Sequence, residues 1–337
     1  MSGPGSSYVR LSPAGLQTAA AKIRNHCRQV QWDEEAWHYQ PPATWPAAIR
    51  RERIALYILA LDSINFCFWP SNHKYEYEDL ARALTRAAEA DHATQAADLT
   101  TMSPEYSLSA QSLAKMTESN MVGLLGGDHR PHPKVPSDMP HRCALWNEVG
   151  RGLLQQFDGS AWQLIECADG SAVRLVQLLW DYFPGFRDCV VVPRDEDSDE
   201  IVYFLKRAQI CVGDWQAALQ LDLPDAESQL TTFADYRLPQ LLRHWGALEY
   251  VHTDLARWVD NEIPLEANSA AETSIRAATV VAVEELVKLL TMENTTKTDM
   301  AKKWTSVQVD WYLWQVGEKL SASNQLAPHH RVRTIYY

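Results

Sequence analysis

The chain has 337 residues and a formal net charge of −12, a length that suits about two domains or one large one, and a field that repels extended polyphosphate. Hydrophobic residues at 46% and charged residues at 22% exclude a disordered or fibrous chain. With 14 glycines against 13 tryptophans, few tight β-turns are expected, and either the core or a ligand pocket is aromatic.

Residues 1–10 form a small, Gly/Ser/Pro-rich start that is expected to be mobile. Residues 11–337 are expected to form a single large helical catalytic domain, with two lobes divided near 126–141 as the alternative. Over 51–69, Ile54, Ile58, Leu61 and Phe68 recur at helical spacing, and the pattern predicts a helix. Similar patterns predict helices over 80–90, 173–183, 238–260, 269–290 and 306–320. The stretch 126–141, with four prolines and three histidines, reads as a loop. The acidic run 193–200 reads as another, solvated loop. Only 188–193, DCVVVP, looks strand-like. The expected fold is therefore mainly α, with little or no sheet.

No apolar run approaches the 18 or so residues of a membrane span, and MSGPGSSYVR has no apolar signal segment. The six cysteines include no C-x-x-C pair, which fits free thiols in a reducing compartment. A cytoplasmic protein without membrane or stable nucleic-acid partners is the expectation. Phosphate-loop, dinucleotide, zinc-protease and nucleophile-elbow motifs are missing. His129, His132 and His141 lack carboxylates at ligand spacing, so neither a metal nor another cofactor is expected.

Four groups of residues could carry chemistry. On a continuous helix, Asp62, Asn65, Phe66 and Trp69 would share one face, setting a carboxylate and an amide beside two rings as a heterocycle requires. Ordinary core packing is the competing reading. Pro239 marks a helix start and puts Asp235 at its positive end. A simple N-cap is the alternative there, although Tyr236, Arg237 and Gln240 supply a ring, a cation and an amide close by. Lys206 stands in an apolar stretch, either buried or snorkelling to the surface. Finally, the aromatic group around Asp310 and Trp314 could close a pocket, while the basic stretch 329–333 either meets a phosphate or simply docks.

Taken together, ALYILALDSINFCFWP (55–70), RCALWNEVGRGLL (142–154), FPGFRD (183–188), YFLKRAQICVGDW (203–215), FADYRLPQLLRHWGALEY (233–250), VDWYLW (309–314) and HHRVRTIYY (329–337) resemble the queuosine salvage protein family, described as queuosine 5′-phosphate N-glycosylases/hydrolases. The resemblance implies an all-helical fold related to the helix-hairpin-helix DNA glycosylases. It also implies release of queuine from queuosine 5′-monophosphate, a small-molecule substrate, for salvage into tRNA modification. Asp235 matches the family's catalytic aspartate and Lys206 a lysine near it. Asp62, Asn65, Phe66, Trp69, Tyr236, Arg237, Gln240 and Trp314 become candidates for binding the substrate. One departure is local: family members commonly carry Glu two residues before the arginine matching Arg276, where this chain has Ser274, with Glu272 as the nearest preceding carboxylate. The competing functions are a glycosylase acting on a base in DNA or tRNA, and a non-catalytic queuosine-binding protein.

Overall fold

The computed structural model describes residues 8–26, 39–69, 75–95, 108–126, 134–195, 198–294 and 304–337. Residues 1–7 of the expected mobile start, and His129 and His132 in the expected loop, lie outside the described residues. In chain order the elements are β1 (Val9–Leu11), α1 (Pro13–His26), α2 (Ala47–Ser63), α3 (Tyr77–Gln95), α4 (Ala110–Ala114), α5 (Glu118–Leu125), α6 (Met139–Gln156), α7 (Ala161–Glu166) and α8 (Ala172–Tyr182). There follow β2 (Cys189–Asp195), β3 (Ser198–Tyr203), α9 (Lys206–Leu219), α10 (Ala226–Gln229), α11 (Arg237–His244), β4 (Leu248–Tyr250), α12 (Thr253–Asp260), α13 (Ala270–Asn294) and α14 (Ser306–Ala322). The fold is mainly α, as expected. Among the described residues, sheet is limited to two antiparallel pairs, and no helix is long and apolar enough to cross a membrane.

Three sequence expectations need correction. The helix expected over 51–69 stops at Ser63; Cys67 then adopts φ 38°, a backbone conformation that a helix cannot contain. The helix expected over 238–260 is two helices split by a strand. Gly246 at φ +71° ends α11, and Leu248–Tyr250 then pairs with β1 in the register Val9↔Tyr250 and Leu11↔Leu248. The described residues of the acidic run 193–200 lie in the antiparallel β2–β3 pair, in which Val191 faces Ile201 and Pro193 faces Asp199. Hydrophobic periodicity overlooked these features because strands of three residues, and strands with charges facing water, leave no apolar signature.

Among the described residues the buried apolar side chains form three clusters, of which two bear on the site. The larger is built around α2, whose buried residues run without interruption from Ile54 to Ser63. Two fully buried tryptophans, Trp146 of α6 and Trp215 of α9, donate their indole N–H groups to the α2 carbonyls of Ala60 (2.8 Å) and Ala55 (2.9 Å). Part of the tryptophan excess is thus core, fixing α2 between two neighbours. The second core joins α1, α11, α13 and α14 through Leu16, Leu241, Leu286 and Leu313, among others. The exit of α2 meets the first turn of α9 in the contact of Lys206 with Asn65 O.

Candidate active site

Glu52, Asp225 and Asp235 each hold a helix start, and they differ in one respect. Glu52 receives the Ser160 hydroxyl and the Ala161 and Trp162 N–H groups at the start of α7, using both oxygens. Asp225 does the same at α8 with Ser171, Ala172 and Val173. At α11, Asp235 Oδ1 alone accepts the N–H groups of Arg237 (2.8 Å) and Leu238 (3.1 Å). Its Oδ2 accepts no hydrogen bond from the described residues. The capping reading is therefore half right: one oxygen anchors Asp235 at the positive end of the helix, and the other is left for something else.

Lys206 is the first residue of α9, and the chain reaches it through strain. Leu205 sits at φ 54°, a region that suits leucine poorly. Asp188 stabilises this turn. Its carbonyl accepts the N–H groups of Phe204 and Leu205, and its Oδ2 accepts that of Lys206, each at 3.0 Å. Arg276 of α13 completes the arrangement with a two-pronged pair to Asp188 at 2.8 and 2.6 Å, its guanidinium lying between the rings of Phe204 (4.1 Å) and Tyr337 (4.4 Å). The Lys206 ammonium then points inward, donating to Asn65 O at 3.4 Å. Burial pulls its pKa down, while the negative charges of Asp235 and Asp62 push it back up. Lys206 is thus buried rather than snorkelling.

The segment Ile64–Trp69 is an ordered, non-helical run. Arg142 of α6 donates to the carbonyls of Ile64, Phe66 (2.5 Å), Cys67 (3.0 Å) and Ser137 (2.8 Å), and Arg207 of α9 donates to those of Ser63 and Gly185. Both guanidinium groups also lie against Phe66, at 4.2 and 5.5 Å from its ring centre. Of the four residues expected on one face, Asp62 and Asn65 do meet: Asn65 Nδ2 donates to Asp62 Oδ1 at 3.4 Å. Phe66 is enclosed by the two arginines, whereas half-buried Trp69 lies beside Arg331, 5.5 Å from its ring centre.

Helix α14 holds the chain on both sides of Asp235. Asp310, Trp314 and Glu318 are four residues apart and share one face. Asp310 accepts the Thr232 hydroxyl and the Phe233 N–H (2.7 Å) just ahead of Asp235, and Glu318 pairs with Arg237 Nε at 2.7 Å just after it. Trp314, between them, is half-buried and meets Tyr77 edge-on at 5.6 Å. Burial pushes Asp310 up to about 7, with Asp235 adding to the rise. Arg237 Nη1 donates to Gln240 Oε1 (2.6 Å), and Gln240 Nε2 donates to Ala327 O (2.6 Å). Tyr236 stacks on His329, with ring centres 4.4 Å apart. These three residues tie α11 to the C-terminal segment.

Sequence reasoning located Asp235, Lys206, Asp62 and Asn65 but overlooked buried charges around them: Asp188, Arg142, Arg207 and Asp214. Each lies within or beside a motif that bore the resemblance, yet a charged residue in an otherwise ordinary stretch does not disclose that it is buried. Two residues before Ser274, the nearest preceding carboxylate is built into the fold. Glu272 is buried, accepts from Tyr337 Oη at 2.9 Å and lies one turn before Arg276.

With this geometry in view, similarity to known proteins becomes informative. The family model described as queuosine salvage protein matches residues 46–337. The chain belongs to that family. It is 36% identical over 289 residues to the queuosine 5′-phosphate N-glycosylase/hydrolase of Dictyostelium discoideum, covering 85% of this chain and 79% of that protein. It is also 36% identical over 315 residues to the protein of the same name from Sphaerobacter thermophilus, covering 88% and 86%. The Mus musculus protein of that name is 28% identical over 301 residues, covering 83% and 81%.

Proposed function

We propose that this chain hydrolyses the N-glycosidic bond of queuosine 5′-monophosphate and releases queuine for salvage. The observation that carries the reading is the divided Asp235 carboxyl: Oδ1 is fixed by two backbone N–H groups and Oδ2 is uncommitted, beside a buried lysine, in a family whose members named above are N-glycosylases/hydrolases.

In the reaction, the C1′–N bond breaks, water supplies the new C1′–O bond, and the water's proton ends on the departing base. Positive charge builds on C1′ and the ring oxygen as the bond lengthens, so a fixed carboxyl oxygen stabilises the transition state more than the ground state. We assign this role to Asp235, together with orientation of the attacking water. Queuine is a 7-deazaguanine, with carbon where purines have N7, so the departing negative charge has to be met at N3 or O6. Lys206, a buried cation whose charge is felt most strongly by Asp235 among its carboxylate neighbours, suits that position. We assign stacking on the base to Trp314 and Trp69, both half-buried, and its polar edge to Asn65. Phe66, Tyr236, Arg237, Gln240 and Asp62 are engaged by protein partners and support the walls.

Purified protein incubated with queuosine, its 5′-monophosphate or queuosine-containing tRNA, followed by chromatography of free queuine, tests the reading. Release from the 5′-monophosphate is expected. Release from tRNA alone would place the chain among nucleic-acid glycosylases, and release from none would leave a binding protein. Asp235→Asn is expected to bind the nucleotide and to lose about 10²–10³ in kcat, as removal of a group that stabilises transition-state charge does. Turnover near the parent rate would remove Asp235 from its role.

A further inference from the structure

Beneath Lys206 lies a pair of carboxyl groups that the hydrolytic step does not touch. Asp62, at the end of α2, is completely enclosed. Its Oδ1 accepts from Asn65, but its Oδ2 is sealed from water with no donor on it among the described residues. Asp214, buried two turns after Lys206 on α9, brings its carboxyl within hydrogen-bonding reach of the Asp62 carboxyl. A buried acceptor without a donor costs on the order of 1–3 kcal/mol, and two carboxylates forced together in a dry site cost more. One proton removes both penalties, because either carboxyl then donates to the other.

We propose that Asp62 and Asp214 share a single proton and, bearing one negative charge between them, position the Lys206 ammonium. The neighbouring groups agree with this balance. From α9, Arg207 and the Cys211 thiol face the pair; Tyr57 of α2, Tyr77 and Glu78 of α3, and Asp310 of α14 complete the surroundings. Arg207 is occupied by the Ser63 and Gly185 carbonyls, which leaves Lys206 as the cation available to the pair. Burial pushes Asp62 up to about 7 and Asp214 well above the usual carboxylate range, while Lys206 draws both back down. Such a dyad titrates as a unit, so its charge belongs to neither residue alone. Asp62 and Asp214 are thus positioning residues, acting on the reaction through Lys206.

The effect on hydrolysis rests on the proposed function; the shared proton does not, and the test separates them. Infrared spectra of the full chain near pH 8 (about one unit above the Asp62 value) are expected to show the C=O stretch of a protonated carboxylic acid. Both Asp62→Asn and Asp214→Asn are expected to lose it, because each leaves one carboxylate with an amide donor. A parent protein lacking the band, or either variant retaining it, overturns the proposal whether or not the protein hydrolyses nucleotide. In the pH dependence of kcat/KM, the alkaline midpoint is expected to stay within about 0.5 pH unit of the parent in each single variant, since the pair keeps one negative charge beside Lys206. It is expected to fall by about one pH unit or more in the double variant, where the pair contributes no charge and Asp235 is the main negative group left beside Lys206. A full shift in each single variant would mean two independent charges and would also overturn the shared proton. Should the double variant fail to fold, the spectra of the single variants decide.

Discussion

At Asp188 one side chain sets the conformation of several others. It accepts the Lys206 N–H, pairs with Arg276 through both oxygens, and leaves its carbonyl to secure the turn at Leu205. Asp188 and Arg276 are each about 3% exposed as side chains, so their charges depend on each other rather than on water. Replacing a buried ion pair with apolar groups is often neutral, but removing one partner strands the other, at about 3–5 kcal/mol. Asp188→Asn is therefore expected to destabilise the protein by roughly that amount, read from denaturant unfolding, and to lower kcat through displacement of Lys206. A variant as stable as the parent would show that Arg276 finds another partner. Lys206 itself was legible in the sequence as an oddly placed cation. Asp188 was not, because an Arg-Asp dipeptide next to a short strand looks like solvent-facing charge until the fold closes over it.

Among elements, the decisive one is the helix that stops early. The apolar pattern of 51–69 reads as a single helix because Phe68 falls in step with Ile54, Ile58 and Leu61, and periodicity cannot tell a short buried extended run from a buried helix. The difference lies outside the segment. Two arginines on α6 and α9 take up the carbonyls of Ser63, Ile64, Phe66 and Cys67, so the backbone is satisfied without continuing the helix. Asn65 O is thereby directed at Lys206. The helical elements were readable from 3.6-residue periodicity, while this exit from α2 depended on residues more than 70 positions away, as the Arg142 and Arg207 contacts show. Arg142→Met fills much of the same space but donates nothing, leaving several buried carbonyls without partners at about 1–3 kcal/mol each. Loss of several kcal/mol in unfolding experiments, with a rise in KM from a loosened 64–69 segment, is the expected outcome. A close approach elsewhere gives a complementary test of packing. A Cβ on Gly150 of α6 would lie 2.2 Å from Ala114 N and 2.5 Å from Ala110 O of α4. Gly150→Ala is expected to separate these helices and lower the melting temperature without altering the pH profile of hydrolysis.

On the scale of the whole molecule, residues 327–337 join parts that are distant in sequence. Gln240 Nε2 donates to Ala327 O, Leu265 N to Arg331 O (2.7 Å) and Cys67 N to Tyr337 O (3.0 Å), so one segment contacts α11, the start of α13 and the exit of α2. The basic character read from HHRVRTIYY is therefore largely docked. Burial pulls His329 down to about 4 and His330 to about 3, and both are neutral at physiological pH. Their folded values lie below the unfolded value, so the unfolded chain binds more protons as pH falls from about 6.5 towards 3, and stability is lost in that direction. Asp62 and Asp310, pushed up to about 7, act oppositely: the folded chain binds more protons between about 4 and 7, and stability is lost as pH rises through that range. Across their overlap the two sets offset each other. His330→Gln removes one of the opposing histidines while keeping a polar group near the Tyr337 hydroxyl, which His330 Nε2 meets at 3.3 Å. Whatever its overall stability, this variant is expected to lose stability more steeply than the parent as pH rises from about 4 to 6, by roughly 1.4 kcal/mol per pH unit. Denaturant unfolding across that range measures the slope. Parallel profiles for the two proteins would mean that His330 takes up its proton inside the fold, and that the segment holding α11 to the exit of α2 yields in acid.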